Sequence, residues 1–134
     1  MKTTTKEISE KLTAALDAAG YEYVSILRII PNLGSVTLYE YNAYHAKGSF
    51  KWIDMPPAFT MCELWQMLPN CITIKHDNYI KIMTGADVFY TDEYDDLLVN
   101  ELYYPDKNPC DALAKLVLWC IENGHELNLK KKDQ

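Results

Sequence analysis

Hydrophobic positions along this chain fall into three stretches of helical period, separated by stretches that alternate. Residues 108–123 are the most apolar. At about 100° per residue, Leu113, Leu116, Val117, Cys120 and Ile121 form one stripe, and Leu118 and Trp119 widen it until only Asp111, Lys115 and Glu122 hold a narrow wet edge. Asn108 as N-cap, Pro109 in the first turn, Asp111 near the positive end of the dipole and Gly124 as a stop give this segment local start and end signals. A helix this apolar is expected to be buried on more than one side. Residues 5–19 form a second, amphipathic helix with Ile8, Leu12, Ala15, Leu16 and Ala19 on one face, Thr4 and Glu7 in capping-box spacing and Gly20 at the end. A third, shorter helix opens at the capping box Thr60 to Glu63, carries Met61, Leu64, Trp65 and Leu68 on one face, and closes at Pro69.

Between the helices lie strands. Residues 21–30 and 35–44 are rich in β-branched and aromatic side chains and flank the turn signal Pro31-Asn32-Leu33-Gly34, which predicts a hairpin. Residues 71–76 and 79–84 alternate about Asp77-Asn78, so Ile72, Ile74, Ile80 and Ile82 are expected on one sheet face, with Thr73, Lys75, Lys81 and Met83 on the partly open other. Residues 86–91 follow as a strand and 92–96 as an acidic turn; 97–104 is assigned as a strand because Pro105 leaves only a short connector to the cap at Asn108. The expected fold is α+β, an antiparallel meander covered on one face by two or three helices. The chain length fits one domain, with residues 54–58 (Asp54-Met55-Pro56-Pro57-Ala58) marking a seam between a helix-hairpin half and a helix-meander-helix half, and residues 126–134 forming a short tail.

Composition narrows the functional classes. The net charge of −6 and the single arginine, Arg28, argue against nucleic-acid backbones and anionic membranes as partners. Lys130, Lys131 and Lys132 read as a solvated end. No apolar run reaches membrane-spanning length and the first residues interleave Ile8, Leu12 and Leu16 with charges, so a cytoplasmic protein with reduced cysteines is expected. Ten tyrosines against three phenylalanines supply rings with a polar end, suited to half-buried strands and to interfaces.

A likeness is carried by Ile53-Asp54-Met55-Pro56-Pro57-Ala58-Phe59-Thr60, by Leu64, Leu68 and Pro69, and by Asn108-Pro109-Cys110-Asp111-Ala112-Leu113 with Trp119 and Glu122-Asn123-Gly124. Over about residues 53–125 the chain resembles a group of small uncharacterised proteins encoded in phages, prophages and mobile elements of gut bacteria. The shared motifs are caps and stops, so the resemblance implies a common fold and supplies no catalytic residue.

Four kinds of site chemistry compete with ordinary packing. Cys62, Cys71, Cys110 and Cys120 with His45, His76 and His125 lack metal-ligand spacing; Cys110 and Cys120 stand about 15 Å apart along one helix, so buried thiols outrank a metal site and no metal or cofactor is expected. Cys71 and His76 alternate onto opposite faces of one predicted strand, and Cys62 near a helix start has no histidine placed beside it, which leaves no catalytic residue to name. Asp92, Glu93, Asp95 and Asp96 form an acidic patch, read first as a hydrated turn and otherwise as a mimic of a nucleic-acid backbone that would occupy a host DNA-binding protein. Trp52, Tyr103 and Tyr104, together with Trp119 and Leu118, are the candidate interface. The resulting expectation is an accessory protein acting by contact with a protein partner or with a second copy as a homodimer. An enzyme with a Cys or acidic site and a nucleic-acid mimic are the alternatives.

Overall fold

The computed structural model describes residues 3–30, 34–37, 54–84, 87–92 and 106–132, and shows an α+β fold. In chain order these are α1 (Lys6–Ala19), β1 (Leu27–Ile30), β2 (Gly34–Thr37), α2 (Met61–Met67), β3 (Cys71–Ile74), β4 (Asp77–Thr84), β5 (Asp87–Thr91) and α3 (Pro109–Glu122). The expected strand at 97–104, residues 38–44 of the hairpin and most of the acidic turn lie outside the described residues.

Helix α3 is central to the core of the described residues. Its Leu113, Ala114, Leu116, Val117 and Cys120 are at most 1% exposed and share one core with Leu12 and Leu16 of α1, Leu64 and Met67 of α2, and Ile72, Tyr79, Val88 and Tyr90 of the sheet. That burial on several sides is what its broad apolar circumference requires. The start is capped as expected: Asn108 Oδ1 accepts from the N–H groups of Cys110 and Asp111, and Pro109 occupies the first turn.

Asp111 corrects the sequence reading. It is 5% exposed rather than on a wet edge, and its Oδ1 accepts the Thr5 N–H at 2.8 Å. Asn108 Nδ2 donates to Thr3 O beside it. The N-termini of α1 and α3 therefore meet, and Ala19 and Ile121 near their other ends line a common cleft, so the two helices run side by side in the same direction. Parallel dipoles place two partially positive ends together, and the Asp111 carboxylate sits where it offsets both. The expected Thr4 to Glu7 capping box is also absent. Thr5 is the N-cap, without a side-chain bond, while the buried Thr4 hydroxyl is hydrogen-bonded to Ser9 Oγ and accepts the Phe59 N–H. Thr4 is thus used to bind the 58–60 segment to α1, and Thr4 N donates to Phe59 O to complete the junction.

The box at α2 forms as read: Thr60 Oγ1 accepts from Glu63 N, and Glu63 Oε1 accepts from Thr60 N. Thr60→Ala is expected to cost about 1 kcal/mol, measured as a shift in the denaturant midpoint with unchanged slope.

Strands β3, β4 and β5 pair antiparallel in that order. The β3–β4 turn falls on Lys75 and His76, whose φ values of 50° and 75° give the two left-handed positions of a tight hairpin turn, rather than on Asp77-Asn78. Facing residues across such a two-residue turn have opposite parity, so Ile72 pairs with Tyr79 and Cys71 with Ile80. The four isoleucines consequently do not share a face: Ile72 is buried against the helices and Ile80 is 51% exposed on the other side. Lys81 is displaced in the same way from the open face that was expected. Its Nζ donates to Trp65 O (2.8 Å) and Leu68 O (3.0 Å) and lies 4.4 Å from the Trp65 ring centre, so it caps the C-terminal end of α2. Burial lowers its pKa from the usual lysine value.

Strands β1 and β2 pair with Leu27 opposite Thr37 and Ile30 opposite Gly34, which confirms an antiparallel pair but starts it at residue 27 rather than 21. On the other edge of β1, Ile29 N donates to Pro56 O and Ala58 N to Leu27 O, so residues 56–58 add a third line of backbone. Ile30 and Val36 form a separate small cluster with Met55.

Candidate interaction surface

Gly20 ends α1 in a left-handed conformation (φ 80°) and turns the chain into an extended strap, residues 21–26, that leads to β1. The strap is held on one side by the end of the chain: Tyr21 pairs with Lys131, Glu22 N donates to Lys130 O (2.8 Å) and Lys132 N to Gly20 O (2.8 Å). The Lys130 to Lys132 side chains are exposed, as a solvated end requires, while their backbone is bonded.

Side chains alternate along the strap. Tyr21 is buried, its hydroxyl accepting the Leu127 N–H at 3.0 Å. Tyr23 packs edge-on against Phe59 and donates to Asp17 Oδ1 at 3.2 Å; burial first, and the Asp17 charge second, raise its pKa above the ordinary tyrosine value. Ser25 turns inward and donates to Leu27 O. Glu22, Val24 and Ile26 point outward, and Val24 and Ile26 are 77% and 61% exposed. Glu63 Oε2 accepts the Ile26 N–H from the α2 side. The arrangement half-buries a serine and presents two β-branched aliphatic side chains to solvent. Beside it opens a cleft of about 880 Å3, with Tyr21, Val24, Met67 and Leu129 in its walls and Glu22 and Lys130 among its polar groups.

The residues expected to form an interface are placed differently. Leu118 and Trp119 are half-buried against the core, and the Trp119 ring stacks on His125 at 5.1 Å and 18°. Trp52, Tyr103 and Tyr104 lie outside the described residues, as do Glu93, Asp95 and Asp96 of the acidic patch; Asp92 is half-buried. The strap falls within the expected hairpin strand 21–30. The signal that locates it is the order Tyr21, Tyr23, Ser25 against Glu22, Val24, Ile26, whose inward set joins the two rings packed on the core to a half-buried serine bonded to Leu27 O and Ala58 O.

The thiols divide into two classes. Cys110 and Cys120 are buried, whereas Cys62 and Cys71 are exposed, contrary to the buried reading for all four. Their chain positions explain the split: Cys62 is on the outer side of α2, and Cys71 pairs with Ile80 on the sheet face away from the core. Two thiols are expected to react rapidly with a disulfide reagent under native conditions and two only after denaturation, counted by released chromophore. Equal rates for all four would contradict the burial. Burial pushes the Cys120 thiol up to about 12, partly offset by its hydrogen bond with Tyr90, and raises the Tyr90 phenol strongly; that phenol donates to Pro69 O. A thiol whose pKa is higher folded than unfolded stabilises the protein fully below its unfolded value of about 9 and loses that contribution as pH rises toward 12. The thermal midpoint is therefore expected to fall between pH 9 and 12, and to fall less steeply in Cys120→Ala; parallel curves would contradict it.

Among the described residues, no group of three or more His, Cys, Asp or Glu side chains is placed to hold a metal ion, and no helix is long and apolar enough to cross a membrane. No protein-family model, curated protein or solved structure matches the chain.

Proposed function

We propose that this chain is a small cytosolic accessory protein that acts by protein–protein contact, and that the outward face of the 21–26 strap is its contact surface. The observation that carries the reading is the inverted alternation of the strap, with Ser25 inward and Val24 and Ile26 exposed beside an open cleft. Exposed β-branched side chains on extended backbone gain most from a partner that covers them. We further propose that the chain is of phage or mobile-element type, as the resemblance over residues 53–125 implies.

Affinity capture from a nuclease-treated bacterial lysate, with untagged protein added, tests this with tagged wild type and a tagged Val24→Asp, Ile26→Asp variant of equal circular dichroism. The wild type is expected to retain a stoichiometric protein that the variant loses. Retention of the same proteins by both overturns the reading, as does a wild type that retains neither a lysate protein nor a second copy of itself.

A further inference from the structure

We draw no further inference here: the strongest candidate, the outer sheet face along the β3 edge where Cys71, Thr73 and Ile80 are exposed, carries nothing because nothing in the structure shows what covers it.

Discussion

A chain ending at Glu126 is expected to lose its cooperative unfolding transition. Leu127 is 4% exposed in the main core, and a buried leucine removed to alanine size costs about 2–5 kcal/mol. The same cut removes the Leu127 N–H from the Tyr21 hydroxyl, the Asn128 N–H from Met67 O, and the backbone bonds that hold Glu22 to Lys130 and Gly20 to Lys132. Tyr21, itself 4% exposed, is left with a buried hydroxyl short of a partner. Against a total stability of about 5–15 kcal/mol for a domain, the combined loss leaves little or nothing. Urea titration followed by tryptophan fluorescence checks this. A truncated chain with a wild-type midpoint would show that the terminal segment contributes nothing to the core. Leu127→Ala alone is expected to shift the midpoint by the leucine contribution and to keep the transition cooperative.

Asp111→Ala is expected to destabilise by about 3 kcal/mol, from a charge-assisted hydrogen bond and from favourable placement at two helix N-termini. The carboxylate is 5% exposed and holds Thr5 N at 2.8 Å, so alanine leaves that N–H unsatisfied at the junction where Asn108 also grips Thr3 O. Asp111→Asn keeps an acceptor at the same place and gives up only the charge, so it is expected to recover more than half of the loss. Chemical denaturation of the two variants distinguishes the contributions. If asparagine is as damaging as alanine, the interaction with the helix dipoles dominates the hydrogen bond.

What was legible in the sequence was what is encoded locally. Asn108 and Pro109 start α3, Thr60 and Glu63 start α2, and Gly20 ends α1, because a cap depends on residues within one turn of itself. What was not legible depended on contacts distant along the chain. Asp111 looks solvated in its own helix and is buried because the N-terminal residues Thr3 to Thr5 cross its start. Thr4 has capping-box spacing to Glu7, yet its hydroxyl is taken by Ser9 and Phe59. In the sheet, the even-numbered isoleucines were aligned by periodicity alone, whereas a turn at Lys75 and His76 pairs even positions with odd ones and sends Ile80 outward.

The candidate surface was hidden for the same reason. Residues 21–26 read as a mediocre strand because tyrosine, valine and isoleucine all favour strands. The contacts of Tyr21 with Leu127, Tyr23 with Phe59 and Ser25 with Ala58, all distant along the chain, decide which alternate set is inside. Trp119, which widens the apolar stripe of α3, is instead half-covered within its own chain and stacked on His125.

The most direct test of the strap as the contact surface is methyl nuclear magnetic resonance of the protein alone across a concentration series and of the protein titrated with what affinity capture retains. Shifts at the Val24 and Ile26 methyls in at least one of the two series, with unchanged signals from Ile72 and Leu116 in the core, are expected. Val24 and Ile26 signals invariant in both, or shifts centred instead on Leu118 or Ile80, would contradict the strap as the contact surface.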